Sequence, residues 1–454
     1  MIYEAYGKLH KTAKKMLGRS NEQKTYRMVS VNDDDFTQDY LKEQGDYFNE
    51  IKPGFKISKE MSYPLENIVP AEQYHSLKDS FYKERKCSEK QLGVITEEAE
   101  KLWLSFIDHS IIPTGYRNAG LHYAGYILDN EEWCLPSWIW TNAAIVRMYC
   151  VTGKIEKAKE LADLLIHNQL ECGGWIVRND YDMLGAIPVI APNDSAYVAN
   201  NACLEVYLAT GEKGYLHSAE KCAMWIMNTA REDGMVYVGY NTRENCWQKT
   251  HNIVDVGFTA GLFAKLYQTT KKETYKEYLK RFTDKYIELF YNPSSKGFAT
   301  SLDANDQKQG GMFGRGQAWA LEGIIPAYEV LRDENLKQVI DSTVTTLLRL
   351  QDKTGGWAYN LSRPLMGIDC KATPIIALSL IKWSTEKNVI VAVNRALNWT
   401  VNHTSKSGNS AGGVYSYTIE GAIVHHMYTW TAFVYASAYA IELKRKVENL
   451  DLFK

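Results

Sequence analysis

The stretch WIWTNAAIVRMYCVTGKIEKAKELADLLIHNQ, residues 138–169, contains the unit from which most of this chain is built. Its first half, up to the turn VTGK, is almost entirely apolar. Its second half places charged residues on one face at helical spacing. A helix that is apolar all round must be buried, and a one-sided amphipathic helix can cover it. The stretch therefore predicts a hairpin of one buried inner helix and one outer helix.

The same hairpin recurs along the chain. Further units begin at Asp194, Asp255, Arg315 and Asp369, and a last unit, mainly a single helix, begins at Met427. The paired helices are separated by the polar turns ATGE, TTKK, RDEN and STEK, and glycine-rich links such as ECGGWIV and KTGGWAY join the units. Repeats of roughly 50–65 residues built in this way stack into a closed ring or a solenoid. We predict an all-α toroid of inner and outer helices, with short β-hairpins as links.

Composition excludes several classes of protein. The 454 residues carry a formal net charge of −2, which argues against nucleic acid as the main partner. We expect no signal peptide and no membrane span, because neither an N-terminal apolar region nor a run of ~18 apolar residues is present. The eight cysteines form no CxxC pair. This pattern favours reduced thiols in a cytoplasmic protein, and the lack of metal motifs predicts neither a metal nor a cofactor.

Charged residues recur at the starts of the inner helices. If these helices run parallel, then Asp194, Asp255, Arg315 and Asp369 lie on one rim of the ring. An aspartate before a helix most often only caps free N–H groups, and this alternative stays open for each of them alone. The recurrence instead favours a shared pocket. Aromatic residues flank the starts of the two remaining inner helices: Trp138, Trp140 and Tyr428.

Arg315 occupies an unusual position in GGMFGRGQAWALEGI, residues 310–324. It lies between two glycines at the entrance of an apolar helix, where the helix dipole disfavours a cation. Its fork-shaped guanidinium suits a planar carboxylate. We therefore expect Arg315 to face the shared pocket.

Four segments resemble a known enzyme family. GRGQAWALEGI resembles the R-G-Q-A-W signature of unsaturated glucuronyl hydrolases and unsaturated rhamnogalacturonyl hydrolases, glycoside hydrolase families 88 and 105. The segments NDSAYVANNACLEVYLATGEKGY, IVDVGFTAGLFAKLYQTTKKETYKEY and GIDCKATPIIALSLI are similar to further family segments, in the same order. The resemblance implies an (α/α)6 barrel over residues 97–454, preceded by an N-terminal extension, 1–96. It also implies a hydrolase that hydrates the C4=C5 bond of a terminal unsaturated uronic acid on an oligosaccharide.

The resemblance also implies roles for individual residues. Asp255 would be the general acid and base, and Asp194 its companion carboxylate. The acid must keep its proton near neutral pH, although an ordinary Asp has a pKa of about 3.9. A second carboxylate and an aromatic-walled cavity would raise that pKa. The expected substrate-binding residues are Arg315, Trp319, Trp138, Trp140, Phe313, Gln317, Asp369 and Tyr428.

Two departures leave alternatives open. The loop GFATSLDANDQKQGGMF, residues 297–313, lacks the histidine that is usual in the family, and Phe313 stands where tryptophan is common. One alternative is an epimerase or lyase acting on uronic-acid polysaccharides, for which His425 and His426 are candidates. Another is a non-catalytic saccharide-binding module in polysaccharide biosynthesis. For the N-terminal extension the alternatives are packing around the barrel, a helix that binds a membrane surface or a partner, and contact with another subunit in a homo-oligomer.

Overall fold

The computed structural model describes residues 88–115, 118–127, 132–134, 137–177, 188–249, 251–362, 368–415 and 431–451. Most of the predicted N-terminal extension lies outside the described residues, as do Tyr428, His425 and His426. The helices within these ranges are, in chain order, α1 (Glu89–His109), α2 (Ile139–Val151), α3 (Ile155–His167), α4 (Pro192–Val198), α5 (Leu204–Thr210), α6 (Lys213–Thr229), α7 (Phe258–Thr270), α8 (Glu273–Phe290), α9 (Gly314–Leu331), α10 (Glu334–Leu350), α11 (Ala372–Trp383), α12 (Lys387–Asn402) and α13 (Val434–Asn449).

These helices form two concentric rings. The inner ring consists of α2, the continuous helix α4–α5, α7, α9, α11 and α13, and contact between α13 and α2 closes it. A π-helical turn, Ala199–Cys203, joins α4 to α5. The outer helices α1, α3, α6, α8, α10 and α12 each pack against an inner partner, with α1 covering α13. The architecture is the expected (α/α)6 toroid, and the helix breaks fall at the polar turns.

The first outer helix begins earlier than the predicted domain boundary. Helix α1 begins at Glu89, so residue 97 lies inside it. Ser88 and Gln91 form a reciprocal capping box, in which each side chain accepts a hydrogen bond from the other residue's main-chain N–H. Among the described helices, none combines the length and the apolar composition needed to cross a membrane.

Short antiparallel strands connect the hairpins. The strands are β1 (Gly125–Ile127), β2 (Glu132–Cys134), β3 (Val189–Ile190), β4 (Gly239–Asn241), β5 (Cys246–Gln248), β6 (His251–Ile253), β7 (Tyr291–Asn292), β8 (Gly297–Phe298), β9 (Ser301–Asp303), β10 (Lys308–Gln309), β11 (Val414–Tyr415) and β12 (Thr431–Phe433). Their order in the four described sheets is β11-β12-β1-β2, β10-β9-β6, β3-β4-β5 and β7-β8. Of the predicted links, EDGMVYVGY, SSKGFATS and AGGVYSY contribute strands, whereas ECGGWIV and KTGGWAY form only isolated bridges.

The tryptophans of the two GGW links make equivalent contacts with the outer helices that precede them. Trp175 and Trp357 are fully buried. The indole N–H of Trp175 donates to the carbonyl of Leu165 in α3 at 2.7 Å, and that of Trp357 donates to Leu347 in α10 at 2.8 Å. A buried indole N–H needs such a partner. Each link is therefore fastened to the preceding outer helix, and the next inner helix starts from a defined position.

We expect the close contact between α9 and the turn that precedes α7 to be sensitive to a single added methyl group. At Gly323 in α9, an added Cβ would lie 2.0 Å from the carbonyl oxygen of Gly257. Gly323→Ala should therefore lower the free energy of unfolding by about 1–3 kcal/mol, as overpacking does. Urea denaturation would measure this change in the free energy of unfolding. The control is Gly214→Ala in α6, where no other atom would lie within 4 Å of the added Cβ. An equal loss of stability in both variants would argue that this contact is not the cause.

Candidate active site

Aromatic contacts bring the N-terminal ends of the inner helices together at one rim. Trp140, near the start of α2, packs edge-on against Tyr435 at the start of α13, with ring centroids 4.8 Å apart. Phe258, at the start of α7, packs against Tyr197 of α4 at 4.7 Å and against Trp319 of α9 at 6.0 Å. The inner helices thus begin at the same end of the ring, as the repeat predicted.

Asp194 and Asp255 lie on neighbouring inner helices at this rim. Asp194 is in the first turn of α4, and Asp255 is in the 3-10 turn that leads into α7. The cap positions of these two elements are Ala191 and Ile253, so neither aspartate is the N-cap residue. N-capping therefore does not explain why Asp194 is buried and Asp255 partly buried at this rim.

The two carboxyl groups interact electrostatically. Burial raises the pKa of Asp194 well above its usual range, and the negative charge of Asp255 raises it further. Burial also raises the pKa of Asp255, to about 7, although Arg315 and hydrogen bonds from Asn193 and from main-chain N–H groups oppose it. Interacting acids release their protons as a pair. The pair can therefore hold a proton near neutral pH and transfer it.

Arg315 is held in one orientation beside this pair. Its Nε lies 3.1 Å from Oδ2 of Asp369, and its Nη1 donates to the hydroxyl of Tyr435 at 2.8 Å. The guanidinium carbon lies 4.8 Å from the ring centroid of Phe313 and 5.2 Å from that of Trp319. The side chain remains 15% exposed. A partly accessible, fixed guanidinium is suited to binding an anionic group.

Asp369 pairs with Arg315 on the buried side of the guanidinium. Its side chain is 0% exposed, and Oδ1 accepts a hydrogen bond from the N–H of Ala372 at 3.2 Å. Its expected direct contact with a substrate stays a prediction, and the contacts observed here are all with the protein. Asp369 therefore accepts a hydrogen bond from the first main-chain N–H of α11 and forms an ion pair with Arg315.

The side chain of Gln317 forms hydrogen bonds within the protein. The residue is buried, and its amide oxygen accepts from the N–H of Phe298 at 2.7 Å. Its amide nitrogen donates to the carbonyls of Phe298 and Phe313 at 2.8 and 3.1 Å. These bonds fasten β8 to α9, and the substrate contact expected of Gln317 stays a prediction.

The two predicted tryptophans of α2 extend the aromatic lining. Trp138 and Trp140 stack with centroids 5.1 Å apart and ring planes 16° apart. Trp140 then contacts Tyr435, which bonds Arg315. Sequence reasoning missed Tyr435, although it occupies the first turn of the last inner helix, the position that carries Asp194 and Arg315 in other units.

A buried ionic cluster closes the ring farther along the inner helices. Arg147 of α2 contacts Glu322 of α9, on the opposite side of the ring, and its Nε lies 2.9 Å from Glu442 of α13. Its Nη1 also donates to Asn201 at 2.9 Å, and Tyr439 donates to Glu322 at 2.9 Å. Buried charges need such partners. Glu322, an acidic residue within an otherwise apolar inner helix, is thus paired inside the ring below the rim.

Comparison with known families gives one partial match. The model of glycosyl hydrolase family 76 matches residues 195–313, a segment that includes Asp255. No curated protein matches the chain.

Several solved structures share the fold. The unsaturated glucuronyl hydrolase of Bacillus sp. GL1 is 13% identical, with a TM-score of 0.59, and the match covers 78% of this chain and 97% of that one. A family 76 α-mannanase of Bacteroides thetaiotaomicron is 15% identical, with a TM-score of 0.59 and coverage of 80% and 99%. Cellobiose 2-epimerase of Bacillus thermoamylovorans is 12% identical, with a TM-score of 0.63 and coverage of 78% and 98%. At these identities the likeness establishes the six-hairpin toroid.

Proposed function

We propose that the chain is a glycoside hydrolase that hydrates the C4=C5 bond of a terminal unsaturated uronic acid on an oligosaccharide. The observation that carries the proposal is the Asp194–Asp255 pair at the rim, in which each carboxyl group has a raised pKa and Asp255 also interacts with the charge of Arg315. Such a substrate offers an enol ether, which needs an acid, and a planar carboxylate, which needs a cation. The pair and Arg315 match these two needs.

The reaction follows from these groups. Asp255 transfers its proton to C4, and a water molecule adds its oxygen to C5 while the resulting carboxylate accepts the proton of that water. The product is a hemiketal, which opens and releases the rest of the oligosaccharide, so the net change is addition of one water. A carboxylic acid with a pKa of about 7 is suited to both donating and recovering a proton near neutral pH.

A second candidate is hydrolysis of an ordinary glycosidic bond. The match of residues 195–313 to the family 76 model favours it. Glycosidases usually use two carboxyl groups to cleave a glycosidic bond, one as the general acid and the other as the base or nucleophile. Asp194 and Asp255 would then share these roles.

The deciding experiment is turnover of defined sugars by the purified full chain. Lyase-generated Δ4,5-unsaturated disaccharides should lose the ultraviolet absorbance of the conjugated acid as they are hydrated. Saturated glycosides, including α-mannan oligosaccharides, should give no new reducing ends. Cleavage of the saturated sugars alone would favour the second candidate. An epimerised product without cleavage would favour an epimerase, and binding without any turnover would favour a saccharide-binding module.

We expect Asp194→Asn to shift the pH dependence of this activity. The pair retains its last proton to higher pH than Asp255 would alone, because the second carboxylate adds a like charge. A neutral amide removes that charge. The midpoint of the alkaline limb of the kcat–pH profile should therefore shift down to about pH 7, the pKa of Asp255. The control Asp284→Asn alters a surface carboxylate that is 59% exposed and should leave the profile unchanged. An unshifted profile with lower stability would instead indicate a purely structural Asp194.

A further inference from the structure

Tyr286 of α8 contacts the turn that carries Asp255. Its hydroxyl donates a hydrogen bond to the main-chain carbonyl of Val254, the residue before Asp255, at 2.7 Å. The side chain is fully buried, and burial together with the charge of Asp255 raises the pKa of Tyr286 well above its usual range. The hydroxyl therefore keeps its proton near neutral pH and stays a hydrogen-bond donor to this turn.

The position of this hydroxyl is fixed by close packing. The ring of Tyr286 contacts Phe282, Phe290 and Phe298, with centroid distances of 5.9, 5.1 and 5.6 Å. A Cβ added at Gly257, the last residue of the 3-10 turn, would lie 2.8 Å from the hydroxyl oxygen. The turn can approach Tyr286 this closely because glycine occupies that position. The hydroxyl and the turn are thus held in one relative placement.

The peptide unit between Val254 and Asp255 connects this hydroxyl to the acid. The carbonyl of Val254 and the N–H of Asp255 belong to one planar unit, so a bond that orients the carbonyl also orients the N–H. That N–H is among the main-chain groups that hydrogen-bond the carboxyl group of Asp255. A hydrogen bond accepted by the carbonyl also strengthens the next bond in such a chain. Two successive hydrogen bonds therefore link Tyr286 to the carboxyl group.

We propose that Tyr286 is a positioning residue, which holds the peptide unit of Val254 and Asp255 so that the carboxyl group of Asp255 points at the substrate. The inference rests on the proposed function in that Asp255 is the acid. Tyr286 is buried, so it acts through the turn and touches no reacting atom. Among the described residues, the other ionisable groups that act on Asp255 are Asp194 on α4 and Arg315 on α9. Neither is altered when the hydroxyl of Tyr286 is removed.

Tyr286→Phe removes the hydroxyl and keeps the ring. The peptide unit then loses its restraint, so kcat for the unsaturated disaccharide should fall about tenfold while KM changes little. The N–H of Asp255 would also support the carboxylate less well, which raises the pKa of this acid. The alkaline limb of the kcat–pH profile should therefore move up by about half a pH unit. This shift is opposite in sign to the one expected for Asp194→Asn.

Tyr278→Phe is a matched control on the same helix. Tyr278 is also buried, and its hydroxyl donates at 3.0 Å to the main-chain carbonyl of Gly234, in the link that follows α6. Each substitution removes one buried hydrogen bond, so both should lower the melting temperature by about 1–3 °C. Only Tyr286→Phe should lower kcat and move the alkaline limb. Equal rates and equal pH profiles in the two variants would overturn the inference.

A titration separates failure of the inference from failure of the proposed function. In protein labelled with carbon-13 at the aspartate carboxyl groups, NMR can follow Asp255 above about pH 5.5, where ordinary aspartates are already ionised. Asp255→Asn identifies its signal. Tyr286→Phe should raise the midpoint by about half a pH unit, and Tyr278→Phe should leave it unchanged.

The outcomes of these two measurements differ for the two claims. A raised midpoint in Tyr286→Phe, in protein that does not turn over the unsaturated disaccharide, would uphold the link between Tyr286 and Asp255 and overturn the proposed function. Turnover by the unmodified chain, with the same midpoint and the same kcat in Tyr286→Phe and Tyr278→Phe, would overturn the inference and leave the function standing.

Discussion

Asp255→Asn should lower kcat for the unsaturated uronyl disaccharide by about 10²–10⁴-fold, the usual contribution of general acid–base catalysis. The carboxyl group of Asp255 is placed to hold a proton near pH 7, and an amide cannot transfer one. KM should change little, because the proposed binding of the uronate depends on Arg315. Stopped and continuous assays with the same disaccharide would measure both constants.

Folding should survive this substitution. A neutral amide is buried more readily than a carboxylate, so the melting temperature should stay equal or rise. Asp284→Asn serves as the control for loss of a carboxylate on the surface. Full activity of Asp255→Asn, together with an inactive Asp194→Asn, would reverse the roles of the two residues. Activity in both variants would exclude the pair from the chemistry.

Arg315→Lys should lower kcat/KM about 10- to 150-fold. Lysine keeps the charge but loses the bidentate fork. A charge-assisted hydrogen bond contributes about 1.5–3 kcal/mol, and 1.4 kcal/mol corresponds to tenfold. From the sequence alone, folding should be almost unaffected, since the helix dipole does not favour a cation there. The structure alters that expectation, because Arg315 also contacts Asp369 and Tyr435.

The same purified variant therefore needs two measurements, kcat/KM and the melting temperature. Tyr435→Phe is a matched control, since it removes one hydrogen bond of Arg315 at 2.8 Å and leaves the charge in place. If Arg315 binds the uronate, activity should fall much more in Arg315→Lys than in Tyr435→Phe at similar stability. If Arg315 only stabilises the turn, the melting temperature should fall. Activity should then fall only as far as the unfolded fraction of the protein increases.

Several features of the site could be predicted because they depend on local patterns. The alternation of all-apolar and one-sided helices reports burial directly, so the repeat predicted the inner and outer rings. The repeat also placed Asp194, Asp255 and Arg315 at equivalent positions, the starts of successive inner helices. Since parallel inner helices begin at one rim, their proximity followed from the order of the units. The polar turns marked the helix ends for the same local reason.

Side-chain direction and long-range pairing were decided only by the tertiary structure. Asp369 occupies a predicted site position, yet its carboxylate turns into the protein toward Arg315 and Lys371. Tyr435 reaches Arg315 across 120 residues of chain. Arg147 meets Glu322, 175 residues away, only because the ring closes and brings opposite helices together. A helix pattern shows which residues are buried, but ring closure determines which buried charges become partners. Burial and those partners together set the pKa values on which the proposed chemistry depends.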